Sequence, residues 1–78
     1  MQKSVETNPL AGHPAGSEWL LKSIEGPATL VERLYEIGFL PGEKIRLSGR
    51  IPLGGPWLVE VRGMTVALRE NEVRCLRI

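Results

Sequence analysis

The chain has 78 residues, a formal net charge of +1 and a single cysteine. A chain of this length forms one small domain with a modest core, and a lone cysteine excludes an internal disulfide. No run approaches the roughly 18 apolar residues of a membrane span, and residues 1–16 lack the apolar core of a secretion signal. We therefore expect a cytoplasmic protein that is not itself inserted in a membrane and is peripheral to one only through a partner.

The start of the chain is predicted to be a flexible tail over residues 1–8, followed by a single domain over residues 9–78. The segment Trp19–Ile24 is too short for a helix and is predicted to be the first strand, which Gly26-Pro27 closes. Pro27 then suits the first position of a helix, where its missing N–H is not needed.

An amphipathic helix of about three turns is predicted after Pro27. Gly38 is expected to end this helix as a left-handed cap residue, and Pro41-Gly42 to turn the chain into a strand. We expect one of Phe39 and Leu40 to close the end of the core and the other to stay exposed. The apolar face of the helix consists of residues at helical spacing, namely Leu30, Val31, Leu34 and Ile37.

Alternation of apolar and polar residues predicts a strand over 44–53, and Gly49 within it indicates a bulge or a sharp bend. Gly54-Gly55 predicts a hairpin into a second strand over 57–62, which Pro56 precedes. The predicted apolar faces are Ile45, Leu47, Ile51 and Leu53 on the first strand, and Trp57, Val59 and Val61 on the second.

A second tight turn at Arg62-Gly63 leads into a third strand, with Met64, Val66 and Leu68 on one face. Residues 70–73 are predicted to form one helical turn, and residues 75–78 a last short strand. About five short strands around a small core, bent at glycines, favour a curled sheet over a flat one. The predicted fold is therefore mainly β: a small SH3-like, partly open barrel with one inserted α-helix.

Side chains that serve catalysis or metal binding are scarce, since the chain has one histidine, one cysteine and no aspartate. Cys75 is interpreted as a half-buried small hydrophobic residue rather than a reactive thiol, and His13 as a loop residue rather than a metal ligand. Glu32 and Glu36 are one helical turn apart, which is typical of a solvated helix face. We expect no catalytic residues, no metal site and no cofactor, and hence a protein that is not an enzyme.

Charge is distributed unevenly along the chain. Residues 1–43 carry three basic and six acidic side chains, whereas residues 44–78 carry seven basic and three acidic ones. The basic half could face an acidic partner, although arginines on the solvent faces of strands are the simpler interpretation. Nucleic-acid binding ranks lower, because few aromatic residues are available to stack on bases, and no nucleic acid is expected as a partner.

Four segments of the chain stand out together by their order and spacing. They are RLYEIGFLPGEKI, a helix that ends in glycine before a Pro-Gly turn; RIPLGGP, an apolar hairpin after a basic residue; VEVRGMTVALRENEV, two strands that lead into a helical turn; and the ending LRI. With the leader PLAGHPAGSEWLLKSIEG, they resemble the ferrous iron transport protein A (FeoA) family over residues 9–78. The chain departs from the family pattern at Gly55, where an acidic or amide residue is more frequent, so any role of the hairpin that needs such a side chain is in doubt.

The resemblance implies an SH3-like barrel with an inserted helix and a cytoplasmic accessory role in bacterial ferrous iron uptake. The implied partner is the membrane transporter FeoB, on whose cytoplasmic side the chain would dock and which it would modulate. SH3-like barrels present a groove to extended peptides, here predicted near the hairpin tip and the end of the helix. The partner-binding residues of this hypothesis are Phe39, Leu40, Arg50, Leu53, Gly54, Gly55 and Pro56.

Two alternatives stay open. Leu53 and Trp57 could simply begin and end the core, in which case the hairpin tip needs no partner. The same domain type also forms the C-terminal module of metal-dependent repressors, so the chain could be a detached regulatory module, although it has no DNA-binding helix pair. One histidine and scattered glutamates do not compose a ferrous site, so no tight iron binding is expected.

Overall fold

The computed structural model describes residues 8–78, so the predicted tail over residues 1–8 lies almost entirely outside the described part of the chain. The described elements are β1 (Glu18–Leu20), β2 (Ser23–Ile24), α1 (Ala28–Ile37), β3 (Lys44–Arg50), β4 (Trp57–Val61), β5 (Met64–Leu68), α2 (Glu70–Val73) and β6 (Leu76–Arg77). The strands form two antiparallel sheets, one in the order β1-β3-β4-β5 and one that pairs β2 with β6. Strand pairing within these residues does not close a barrel, and the mainly β, partly open architecture predicted above is confirmed.

The predicted first strand is divided into β1 and β2, because the chain changes its pairing partner at Leu21 and Lys22. The Leu21 N–H donates to the carbonyl oxygen of Glu43 beside β3 (2.9 Å), and the Lys22 N–H donates to that of Arg77 in β6 (2.7 Å). β1 therefore pairs with β3, and β2 with β6. The prediction of one continuous strand over Trp19–Ile24 is wrong at this corner, where one segment supplies both sheets.

Helix α1 starts one residue after Pro27, which has an extended ψ of 138° and so lies just before the helix rather than at its first position. The helix ends as predicted at Gly38, whose φ of 123° is accessible to glycine at little cost. The Gly38 N–H donates to the carbonyl oxygens of Leu34 and Tyr35, and the Phe39 N–H donates to that of Leu34 (3.0 Å). This hydrogen-bond pattern is a Schellman motif, which turns Phe39 back into the core beside Leu34.

Strand β3 contains the irregularity predicted at Gly49, and this irregularity changes which side chains face the core. The register pairs Leu47 with Val59, Gly49 with Leu58 and Arg50 with Trp57, so one extra residue lies between Leu47 and Gly49. Because side chains alternate along a strand, such a bulge shifts the alternation by one residue. Arg50 therefore takes the position beside Trp57, and Ile51 and Leu53 are exposed. The predicted apolar face is right for the first half of the strand and wrong for Ile51 and Leu53.

Strands β4 and β5 are joined by the predicted tight turn at Arg62-Gly63, whose φ values are 52° and 80°. The predicted core face of β4 is confirmed, since Trp57, Val59 and Val61 are all buried. Within residues 8–78, β5 pairs with β4 alone and forms an edge of the sheet. On this strand Leu68 is buried but Met64 is exposed. The core face of this strand therefore begins further from the turn than alternation alone predicts.

One apolar cluster joins both sheets, both helices and the leader. Phe39 and Leu10 are among its largest fully buried side chains. A single charged side chain is buried among the described residues: Glu72 of α2, which accepts a hydrogen bond from the Arg69 N–H (2.8 Å) and pairs with the Arg33 guanidinium of α1 (2.7 Å). This carboxylate satisfies an otherwise unpaired N–H at the start of α2 and fixes α2 beside α1.

Candidate docking site at the hairpin tip

The tip of the β3–β4 hairpin is a two-residue turn formed by Leu53 and Gly54. The Ile51 N–H donates to the Pro56 carbonyl oxygen (2.9 Å), and the Gly55 N–H donates to that of Pro52 (3.4 Å). Leu53 has a φ of 64° and Gly54 a φ of 79°. Positive φ at both central residues is the signature of a type I′ turn, which favours Asn-Gly or Gly-Gly.

Leucine is a poor residue for this turn. A left-handed backbone conformation costs an L-residue about 1–2 kcal/mol, because its Cβ approaches the following carbonyl. The Leu53 side chain recovers none of this cost inside the molecule, since it is fully exposed, at 102% of its reference area. The alternative that Leu53 begins the core is therefore wrong, whereas Trp57 is buried in the core as that alternative assumed.

Gly55 is held closely against Ile51. A Cβ at Gly55 would lie 2.6 Å from the Ile51 Cβ and 2.9 Å from its carbonyl oxygen, closer than such atoms can approach. The family's more frequent acidic or amide residue would therefore require this hairpin to change shape. The glycine allows a tight tip that presents Ile51 and Leu53 outward together.

Helix α2 lies beside the tip, and the two enclose an open cleft of about 490 Å³. The Trp57 Nε1–H donates to Glu70 Oε1 (3.1 Å), and the Arg74 guanidinium pairs with Glu70 Oε2 (3.3 Å). These contacts connect the start of β4 to α2 and fix the width of the cleft. Its lining residues are Gly54, Gly55, Pro56, Arg69, Glu70, Asn71 and Arg74.

The Glu70 carboxylate stays charged over a wider pH range than an isolated glutamate. The nearby amide of Asn8 lowers its pKa most, and the Trp57 indole N–H and the Arg74 guanidinium lower it further. Asn8 Oδ1 accepts a hydrogen bond from the Leu10 N–H (2.8 Å), while its Nδ2 is buried without a hydrogen-bond partner among residues 8–78.

Two arginines near the hairpin tip, Arg69 in the cleft and Arg50 directly before the tip, have no acidic partner in the described part of the chain. The Arg50 guanidinium carbon lies 4.5 Å from the centre of the Trp57 ring, a cation–π arrangement that leaves the N–H edge of the guanidinium available. Arg69 lines the cleft. The ion pairs that are formed join Glu72 to Arg33, Glu18 to Lys44, Glu60 to Arg46, Glu43 to Arg62, Glu70 to Arg74 and Glu25 to Arg77. Much of the charge asymmetry seen in the sequence is therefore neutralised within the fold, but not at Arg50 and Arg69.

The structure places the other predicted contact residues, Phe39 and Leu40, away from the tip. Phe39 is fully buried and Leu40 is partly exposed, in agreement with the expectation that one of the two closes the end of the core and the other stays exposed. A Cβ at Gly38 would lie within 3.8 Å of the Arg62 side chain, so the end of α1 adjoins the β4–β5 turn. That turn and the hairpin tip lie beyond opposite ends of β4, whose 5 residues alone span roughly 15 Å at about 3.3 Å per residue. The predicted groove shared by the tip and the end of the helix is therefore not formed.

The cysteine and the histidine of the chain both lie in surroundings that suit a structural role. Cys75 is buried, its burial raises the pKa of the thiol, and its Sγ donates weakly to the Asn71 carbonyl oxygen. The exposed His13 ring packs edge-on against Trp19, with centroids 5.2 Å apart. Within residues 8–78 no three His, Cys, Asp or Glu side chains are grouped as metal ligands would be. None of the helices in this range has the length and apolarity to cross a membrane.

Sequence reasoning identified the hairpin tip but missed the helix beside it. Arg69, Glu70 and Arg74 approach the tip only because β5 returns the chain to the start of β4, a long-range consequence of strand pairing. One local signal was available. A buried tryptophan needs an acceptor for its indole N–H, and Glu70 lies two residues after Leu68, which pairs with Trp57.

These features define a class: a small, mainly β, SH3-like domain with a strained apolar hairpin beside a basic cleft. A model of the FeoA domain matches residues 8–78, and the chain belongs to the FeoA family. No curated protein matches the chain.

Solved structures of FeoA proteins are also similar to this chain. The chain is similar to an iron uptake regulatory protein (FeoA), with 24% identity and a TM-score of 0.74 over 87% of this chain and 89% of that one. It is also similar to FeoA of Stenotrophomonas maltophilia in complex with zinc, with 29% identity and a TM-score of 0.70 over 82% and 80% of the two chains. The latter is described as a prokaryotic SH3 domain protein and a candidate activating factor of ferrous iron transport.

Similarity extends to a different class of protein. A manganese-dependent transcriptional repressor shares 20% identity with a TM-score of 0.76, and the match covers 92% of this chain but 42% of that one. At this identity the likeness shows the fold alone.

Proposed function

We propose that this chain is a cytoplasmic, non-enzymatic accessory protein of bacterial ferrous iron uptake, which docks on the cytoplasmic side of a FeoB-type membrane transporter and modulates it. Membership of the FeoA family supports the pathway. The similar proteins described as an iron uptake regulatory protein and as a candidate transport-activating factor support an accessory role.

The observation that carries the docking proposal is Leu53. A fully exposed leucine in a left-handed backbone conformation contributes neither burial nor favourable backbone energy to the fold. Strained residues of this kind persist mainly where function requires them. An exposed leucine at the end of a rigid hairpin is suited to enter an apolar pocket of a partner, as the central residue of an interface does.

The proposed docking surface consists of the tip residues together with the arginine that stacks behind them: Arg50, Leu53, Gly54, Gly55 and Pro56. Phe39 packs in the core at the other end of the sheet and is not accessible to a partner, since it is fully buried. Leu40 is exposed at that opposite end and belongs to the docking surface only if the partner spans the whole sheet.

A pull-down of the tagged chain from detergent-solubilised membranes of its own cells tests this proposal, with captured proteins identified by mass spectrometry. We expect the FeoB-type transporter to be enriched, and Leu53→Glu to abolish the enrichment without unfolding the chain, because that side chain buries no area. Leu20→Glu is the matched control, since Leu20 is also an exposed leucine but lies on β1, far from the tip. Leu40→Glu shows whether the docking surface reaches the opposite end.

Capture of the transporter by the wild-type and Leu20→Glu chains, but not by Leu53→Glu, is the expected result. Equal capture by all variants would contradict docking through the tip. Enrichment of a metal-dependent repressor in place of the transporter would favour the role of a detached regulatory module.

A further inference from the structure

We infer that the cleft between the hairpin tip and α2 binds an acidic, extended segment of the protein partner, whose carboxylates pair with Arg69 and Arg50 while Leu53 enters an apolar pocket beside that segment. This inference rests on the proposed docking function and specifies the chemistry of the partner. It commits to a protein partner with carboxylate side chains rather than to a lipid surface.

The charges around the cleft carry the inference. Across residues 8–78, only Lys22, Arg50 and Arg69 are basic side chains without an acidic group within ion-pair distance, and two of these three flank the tip. Arg69 lines the cleft, and Arg50 is held in place by stacking on Trp57. A stacked guanidinium is already ordered and keeps its N–H edge free, so it can bind a carboxylate with little further loss of side-chain entropy.

The acidic group of the cleft does not compete with an incoming carboxylate for these arginines. Both oxygens of Glu70 are engaged, Oε1 by the Trp57 N–H and Oε2 by Arg74. The cleft thus presents donors and positive charge in excess of acceptors, which is the arrangement that recognises carboxylates.

The shape of the site favours an extended segment over a single small anion. The cleft of about 490 Å³ is open to solvent and is bordered by Pro56 and by Gly54 and Gly55, which have no side chain to block the approach of a ligand backbone. Ile51 and Leu53 continue the surface with apolar area. A chain with acidic residues next to an apolar pocket would match both parts at once, and charge complementarity of this kind determines partner choice and association rate.

The test uses the full chain labelled with ¹⁵N and three capped tripeptide probes at matched ionic strength: triglutamate, triglutamine and trilysine. We expect triglutamate alone to shift the resonances of the Arg69 and Arg50 side chains. Arg69→Gln is expected to weaken triglutamate binding about tenfold, the effect of removing one charge-assisted hydrogen bond. Lys22→Gln is the matched control, since it removes the same charge away from the cleft and is expected to change affinity less than twofold.

The outcomes separate this inference from the docking proposal. Loss of triglutamate binding in Arg69→Gln but not Lys22→Gln supports an acidic ligand, whatever the transporter experiment shows. Equal response to triglutamate and triglutamine, or equal loss in both variants, overturns the inference and leaves docking through Leu53 standing. Shifts at the tip with vesicles of phosphatidylglycerol and phosphatidylcholine, but none with triglutamate, overturn it in favour of an anionic lipid surface.

Discussion

Two hairpin turns in this molecule have similar backbone conformations, but the side chains of their first central residues differ in what they contact. In each, a residue that is not glycine has positive φ and precedes a glycine: Leu53 before Gly54, and Arg62 before Gly63. The Arg62 side chain donates to Glu43 (3.2 Å) and lies against Gly38, so it ties the β4–β5 turn to the end of α1. Leu53 makes no such internal contact.

We interpret this difference as one between a structural end of the molecule and the proposed docking end. At the Arg62 end, an ion pair and the buried Phe39 account for the residues present. At the Leu53 end, the same positive φ brings no internal contact, and the proposed docking contact would account for it. Local violations of turn preference without internal compensation are expected at functional sites.

The largest predicted effect lies at the structural end. Phe39→Ala removes a fully buried aromatic side chain and leaves a cavity, which costs about 3–5 kcal/mol in the free energy of unfolding. Leu53→Ala at the other end is expected to change that free energy by less than about 0.5 kcal/mol, as do most surface substitutions. Urea denaturation followed by Trp fluorescence measures both, and comparable losses would remove the contrast between the two ends.

A smaller change in the free energy of unfolding is expected from glycine substitutions that compare the two turns directly. Leu53→Gly is expected to stabilise the chain by about 0.5–1 kcal/mol, because the relief of left-handed strain exceeds the added entropy of the unfolded chain. Arg62→Gly relieves the same strain but loses a partly exposed ion pair worth up to about 1 kcal/mol, so its net effect is expected to be near zero. If both substitutions stabilised the chain equally, the Arg62–Glu43 contact would have no structural value.

The smallest effect concerns the support of the tip by α2 and depends on pH. Because the pKa of Glu70 is lowered in the folded chain, its contribution to stability is complete above the unfolded-state pKa and is lost as pH falls through the folded-state value. Glu70→Gln is therefore expected to be less stable than wild type near neutral pH and to approach it in acid. Thermal unfolding from pH 7 to pH 3 measures the gap, and a gap that widens in acid would contradict the assignment.

How far the sequence predicts this molecule depends on the range of the interactions involved. The cap at Gly38 and the turn at Arg62-Gly63 are predictable from their glycines. The hairpin is predictable too, but its central residues are Leu53 and Gly54 rather than the expected Gly54-Gly55, against the backbone preference of leucine. The positions of Ile51 and Leu53 are not predictable. The bulge at Gly49 was recognised, but its shift of the alternation depends on pairing with β4, which a single strand does not reveal.

The same limit applies to the candidate site. Leu53 and its neighbours could be chosen from an apolar hairpin sequence alone. The basic cleft could not, because α2 reaches the tip through two strand pairings, and the corner at Leu21–Lys22 likewise depends on two different partner strands. The sequence predicts Leu40 on the same surface because it follows the end of the helix, but the pairing of β3 with β4 places the start of β3 at the end of β4 away from the tip.

The most direct test of the account measures binding and stability on the same variant. Calorimetric titration of the FeoB-type transporter's cytoplasmic domain with wild type, Leu53→Gly and Arg62→Gly would be combined with urea denaturation of the three chains. We predict that Leu53→Gly is at least as stable as wild type yet binds more than tenfold more weakly, because it lacks the central side chain of the interface. We predict that Arg62→Gly binds as wild type does. Unchanged binding by a stabilised Leu53→Gly chain would show that the strained leucine serves no partner.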